Sequence, residues 1–343
     1  MMPDTVRRHS RRRLFIRQLT RRPTRGLQPS RSLLLAGVFL LAGGTALSGC
    51  AALAGTEETS GTVVVTTNIL GDVTENITRG QADVVVLMEP GADPHSFGIS
   101  ARQAAQLESA DLIIYNGLGL EEGILRHVSA AEDQGVAVLA VGDAVDPLPF
   151  AANAGTPTDT GTPAAPDPHF WTDPLRMAEA AGLIADAVAA HVPSADPAAV
   201  HGQAEAYAAQ LRELDAWMAA EFAGIPSDRR SLVTNHHVFG YLASRYGFTI
   251  TGALIPGGTT LASPSSADLD DLAGKIRAAS VPAIFTDSSQ PDRLAQVLAE
   301  EAGLDVAVVG LFTESLGTGG SGADTYLEMM RTNTGRITSA LSR

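Results

Sequence analysis

The chain holds a single cysteine, Cys50, so no disulfide can form within it. It also lacks an apolar run long enough to cross a bilayer comfortably. The candidate, Ser32 to Leu47, extends for roughly 15 residues against the ~20 that a helical span requires. Basic residues are scarce beyond the N-terminus. Of 24 Lys+Arg and 38 Asp+Glu, ten Arg and one acid, Asp4, fall in residues 1–49, which leaves 14 against 37 and a formal charge of −23 for the rest. A field of that sign disfavours nucleic acid and anionic membrane surfaces as partners, and it raises the local concentration of cations. Two signatures of hydrolysis are missing as well: there is no His-Glu-x-x-His helix and no Gly-x-Ser-x-Gly elbow.

What remains is an ordinary globular composition. At 343 residues, with 45% hydrophobic and 18% charged, the chain can bury a large core and is expected to form two domains. An Arg-rich stretch ending at Arg31 precedes the apolar run, which closes on Leu47-Ser48-Gly49-Cys50. Its length and flanks fit the h-region of a signal peptide. The small residues ahead of the cysteine resemble the bacterial lipobox, in which that cysteine becomes the lipidated first residue of the mature protein. Residues 1–50 are therefore expected to be a signal peptide with a lipobox, Cys50 a lipid anchor, residues 51–61 a linker, and the mature protein extracytoplasmic. Arg12-Arg13-Leu14-Phe15-Ile16-Arg17 loosely resembles a twin-arginine signal but lies far from the apolar run, so both the Sec and the twin-arginine export routes stay open.

Beyond the linker, short β-branched runs alternate with helical stretches. Strands are expected at 62–66, 83–87, 112–115 and 136–139, with helices at 69–79, 101–109 and 121–133 between them. Continuous apolar strands separated by single helices mark a parallel sheet covered on both faces. Residues 147–168 then turn to Pro, Gly, Thr, Ala and Asp with no apolar period, which reads as a long loop without histidine. Helices follow at 174–190 and 197–223, the second carrying Ala204, Tyr207, Leu211, Leu214, Met218 and Phe222 on one buried stripe. A second alternating set closes the chain. Its strands are expected at 231–234, 249–255, 283–286 and 306–309, and its helices at 239–246, 266–279, 292–302 and 324–342. The fold class is α/β: two Rossmann-like lobes, residues 62–196 and 225–343, joined by one long helix over 197–224. In such folds ligands bind outside the carboxyl ends of strands, and clefts between lobes are favoured.

Two copies of Asp-Pro-His, at 93–95 and 167–169, set an imidazole just after a rigid proline turn. A third imidazole follows at His236 in Thr-Asn-His-His-Val-Phe-Gly-Tyr. Imidazole is the commonest protein metal ligand, so three such groups are candidate metal ligands. His127, His191 and His201 fall on or beside helices outside any such motif and are expected to face solvent.

These segments carry a resemblance. Met88 to Phe97, Asp167 to Pro174, His236 to Tyr241, and Leu311 to Leu316 followed by Asp324-Thr325-Tyr326 and Met329-Met330 are together similar to the zinc and manganese solute-binding lipoproteins of bacterial ABC importers (cluster A-I). The resemblance covers nearly all of the chain after the linker, with the motifs in order. It implies metal buried between the lobes, a rigid joining helix that limits hinge motion, and delivery to an ABC permease and its ATPase. The ligand set it implies is His95, His169, His236 and Glu314. Glu314 stands where the family usually has Asp. Asp287 is the rival for that fourth place, and His237 the rival for the third.

Three imidazoles and a carboxylate around Zn²⁺ suit a tetrahedral site of net charge +1. They favour Zn²⁺ over the alternative, Mn²⁺, which prefers oxygen ligands. Four protein ligands leave no open position for a reactive water, which points to a closed binding site with no catalysis. Ligand protonation is expected to weaken binding as pH falls through the imidazole range. A monomer is expected. The alternative readings are a secreted zinc-dependent hydrolase and a surface adhesin.

Overall fold

In the computed structural model, residues 60–150, 165–303 and 305–342 are described. The apolar run, Cys50, the twin-arginine stretch, residues 51–59 of the linker and 151–164 of the long loop lie outside them.

The first half builds β1 (Thr62–Val65), α1 (Asn68–Thr78), β2 (Asp83–Val86), α2 (Ala101–Glu108), β3 (Leu112–Tyr115), α3 (Leu125–Asp133), β4 (Ala137–Ala140) and the single turn α4 (Val141–Ala144). All pairings are parallel, in the order β2-β1-β3-β4. The two central strands are covered on both faces, and accordingly Val63, Val64, Val65, Leu112, Ile113 and Ile114 have no exposed surface. One element departs from expectation. The helix expected over 121–133 starts only at Leu125, because Gly117, Leu118 and Gly119 take φ of 82°, 55° and 81°. The buried Glu121 carboxylate holds these turns, accepting from Thr66 Oγ1 and Asn116 N at 2.7 Å and from Gly117 N at 3.2 Å.

A turn of 3₁₀ helix (Phe170–Thr172) leads into α5 (Pro174–His191) and α6 (Pro197–Ala223). Both helices start on Asp-Pro. Asp173 and Asp196 cap the free N–H groups of Leu175 and Ala198, and proline fills the first helical position, where no donor is needed. The stripe Ala204, Tyr207, Leu211, Leu214, Met218 and Phe222 is buried throughout.

A short 3₁₀ turn (Ser227–Arg229) precedes the second half. It follows with β5 (Ser231–Thr234), α7 (Gly240–Tyr246), β6 (Thr249–Ala253), α8 (Ser266–Ala279), β7 (Ala283–Asp287), α9 (Arg293–Ala302), β8 (Ala307–Leu311) and α10 (Tyr326–Leu341). Its sheet is also parallel, ordered β6-β5-β7-β8, the same order as the first.

The two sheets share one large apolar interior, and each also has a smaller cluster of its own, around Val64 and Ile113 in the first half and Val233 and Ile284 in the second. One apolar cluster runs from Val65 and Leu112 through Ile184 of α5, Leu211 and Met218 of α6 and Ile337 of α10 to Leu232 and Phe285. Burial of this kind contributes roughly 25 cal/mol per Å² of apolar surface, and here it binds both lobes to the long helix. Among the described residues, no helix is long and apolar enough to cross a membrane.

Candidate metal centre

Four connections at the carboxyl ends of strands converge in the cleft between the sheets. His95 lies on the connection leaving β2, His169 on that leaving β4, His236 just beyond β5, and Glu314 just beyond β8. One ligand atom from each of the four lies within 4.8 Å of every other. His236 Nε2 is 2.9 Å from Glu314 Oε1, His169 Nε2 is 3.6 Å from the same oxygen, and His95 Nε2 is 3.8 Å from Oε2. The Nε2 atoms of His95 and His169 are 3.4 Å apart. A tetrahedron with ligand bonds of about 2.0–2.1 Å has edges of about 3.3–3.4 Å, so the cluster is already near the size that a single ion requires. The residues fit the group.

The site is dry, with exposures of 0% for His169 and His236, 1% for Glu314 and 4% for His95. Apart from one another, His236 Nε2 and Glu314 Oε1 have no hydrogen-bond partner, and Glu314 Oε2 has none. A proton shared across the His236–Glu314 gap, or a cation, is what can satisfy them. Burial pushes the Glu314 carboxyl up to about 8 against the pull of His169, and the acids Asp287, Asp93 and Asp167 add to the rise. Burial pushes His95 down to about 2, helped by the neighbouring His169 and His236, and it lowers His236 as well. Both shifts favour the neutral imidazole, whose lone pair can be donated, and the shift at Glu314 favours its protonated form.

The doubled Asp-Pro-His has a shared local geometry. In each copy the Asp Oδ1 accepts the amide of the histidine two residues on, at 2.9 Å for Asp93–His95 and 3.0 Å for Asp167–His169. Asp167 does more, lying 2.7 Å from His169 Nδ1, which directs Nε2 into the cleft. Gly240 of the Phe-Gly-Tyr segment leaves room for this carboxylate, since a Cβ there would overlap Asp167 Oδ2. Tyr241 completes the support by donating its hydroxyl to Asp167 O at 2.7 Å.

The rivals are placed elsewhere. Asp287 accepts from the Ser289 amide and hydroxyl and from Thr313 Oγ1, and it lies outside the four-residue cluster. His237 is buried and its amide bonds Gly257 O, but it too is outside the cluster. His191 and His201 are exposed, whereas His127 is half-buried beside Arg126, not fully open to solvent as expected.

Several supporting residues carry no motif that marks them from sequence. Asn68 on α1 and Trp171 both hold the Glu314 segment, Trp171 through its Nε1–H to Thr313 O at 2.9 Å. Asp93 receives Thr260 Oγ1 at 2.5 Å and Gln290 Nε2 at 3.1 Å from the opposite lobe. The Asx-turn rule identifies Asp93 and Asp167 as caps; nothing local identifies the long-range contacts.

Two parallel-sheet lobes closed on a dry three-imidazole, one-carboxylate cluster define a class of protein that holds an ion between its halves. The comparisons agree. The family described as zinc-uptake complex component A, periplasmic, matches residues 63–340. The chain is 32% identical over 285 residues to the zinc-binding protein TroA of Treponema pallidum, covering 82% of this chain and 89% of that protein. It is 31% identical over 287 residues to the manganese-binding lipoprotein MntA of Bacillus subtilis, covering 81% and 89%. The solved structure of TroA superposes with a TM-score of 0.74 at 30% identity, covering 83% of this chain and all of that one. The chain belongs to this family of metal-binding, extracytoplasmic components of ABC importers. It is not an enzyme, and the hydrolase reading falls away.

Proposed function

We propose that the protein captures Zn²⁺ outside the cytoplasmic membrane, through His95, His169, His236 and Glu314, and delivers it to the permease and ATPase of an ABC importer. The observation that carries the choice of zinc over manganese is the donor set. Three imidazoles and one carboxylate in a cluster of tetrahedral dimensions match a borderline-soft ion, while manganese favours more oxygen. Relatives named for zinc and for manganese both exist, so the donor set bears the weight here, not the kinship.

The lobe boundaries expected from sequence give each lobe two ligands, so an ion ties the lobes together and its departure requires that they part. Glu314, a methylene longer than the aspartate usual at this position, stands beside His236 of its own lobe and faces His169 and His95 across the cleft. A lipid anchor at Cys50 would hold the protein beside its permease, and the protein is read as a monomer.

Isothermal titration of the apo protein with Zn²⁺ and with Mn²⁺ tests the reading. Stoichiometric, tighter zinc binding that is lost in His95→Ala and His169→Ala is expected. Variants that bind as the parent does would remove the site assignment, and tighter manganese binding would reverse the choice of metal.

A further inference from the structure

Phe150 is half-buried, with its ring edge-on to that of His169 at a centroid separation of 6.1 Å and an angle of 69°. Trp171 also meets the His169 ring edge-on, at 5.3 Å and 68°. His169 has no exposed surface, while Phe150 keeps some. The phenylalanine thus stands between this imidazole and water.

Its backbone is tied to the segment that carries His169. The Phe150 amide donates to Ala165 O at 2.9 Å, Pro149 bridges Pro166, and the Asp167 amide donates to Leu148 O at 2.7 Å. The Leu148 amide in turn donates to Tyr241 Oη at 3.0 Å. With its main chain held at these points, Phe150 can leave His169 chiefly by turning its side chain.

What the ring rests on belongs to the other half of the molecule. A Cβ at Gly258, on the connection between β6 and α8, would overlap the Phe150 ring at three of its carbons. Gly258 does not have the left-handed φ that would by itself call for glycine. The ring is the reason a side chain is excluded there. Two residues on, Thr260 donates to Asp93, so the same connection is fastened to the His95 turn.

We propose that Phe150 sets the residence time of the bound ion. Its ring, wedged between His169 and Gly258, must move before water or a competing ligand reaches the imidazole. It governs exchange and leaves the coordination itself unchanged. The proposal rests on the four-ligand site described above.

The experiment loads the full protein with Co²⁺, whose visible absorption reports coordination, and with Zn²⁺, and mixes each with excess chelator in a stopped-flow instrument. Phe150→Ala is expected to release metal roughly tenfold faster or more, with a smaller change in Kd because entry is eased too. The cobalt spectrum should be unchanged. Phe150→Leu should recover part of the slow release and serves if the alanine variant folds poorly. Gly258→Ala should push the ring aside and speed release in the parent, yet add nothing in the Phe150→Ala background, where the overlap is gone. Release from Phe150→Ala at the parent's rate, or an equal effect of Gly258→Ala in both backgrounds, overturns the proposal. A parent that shows no one-to-one cobalt or zinc binding instead overturns the site assignment beneath it.

Discussion

Asn68 grips the Ser315 segment at two points across the cleft: its Nδ2 donates to Ser315 Oγ at 2.7 Å, and its Oδ1 accepts the Leu316 amide at 2.9 Å. Gly91, on the turn that leads to His95, adds amide bonds to Ser315 Oγ and Leu316 O at 2.8 and 3.0 Å. The residue next to Glu314 is thus fixed by groups from the opposite half, and a carboxylate on an end-of-strand connection behaves as a fixed group. Outer partners of this type typically contribute 10–100-fold to metal affinity. Asn68→Ala is expected to weaken zinc binding by about that factor with little change in far-UV circular dichroism; unchanged affinity by competition titration would show that the Glu314 segment holds itself.

Asp167→Asn isolates the orienting contact. The amide can still accept the His169 N–H of the main chain, but it no longer offers the ring a charged acceptor. A loss of about 10-fold or more in zinc affinity is expected. Asp93→Asn, which has no contact to its histidine ring, should cost less in orientation, so equal losses in the two variants would assign the effect to the turn alone.

Asp72 supplies a pH dependence away from the cluster. Burial lifts its carboxyl from 3.8 to about 6, with Glu75 and Glu328 adding to the rise against the Tyr326 amide at 3.0 Å and the Tyr207 hydroxyl. The folded state binds this proton more tightly than the unfolded one. The contribution is therefore fully present below about pH 4 and is lost as pH rises through about 6, by at most about 3 kcal/mol. Asp72→Asn stays neutral and escapes the loss. Urea unfolding of both apo proteins from pH 4 to 7.5 should show the parent falling relative to the variant; parallel curves would rule the mechanism out.

Leu211, fully buried on α6, belongs to the interior shared by both sheets. Its truncation to alanine should cost about 2–5 kcal/mol. Because that interior is continuous, circular dichroism and tryptophan fluorescence should report a single coincident urea transition. Two separated transitions would mean that the lobes are independently stable.

The alternation of parallel strands with helices and the bounds of α6 were legible because burial on both faces, or on one stripe, imposes a period that the chain cannot hide. Pro197–Ala223 was read end to end, since Asp-Pro marks its start. The four clustered residues were legible through their motifs. The turns at Gly117 to Gly119 were not, because Leu118 adopts a left-handed conformation that its side chain does not advertise, and the carboxylate that stabilises it is Glu121, several residues on. Phe150 was hidden for another reason. It borders a Pro/Gly/Thr-rich segment, and its partners His169 and Gly258 are joined to it only by folding. The protonation state of His95 was likewise out of reach, since it depends on how completely the assembled cleft excludes water.

The strand order shared by the two sheets bears on how preference for one ion can drift into preference for another. β4 and β8 occupy the same place in their sheets, and the connection leaving each contributes one member of the cluster, an imidazole from the first and a carboxylate from the second. Both residues stand beyond the last paired position of their strands. Exchanging nitrogen for oxygen at either place changes the hardness of the donor set while leaving both ladders and the common interior untouched. On the proposed ligand set, the hardness of the donors would thus rest on two residues carried outside a repeated frame.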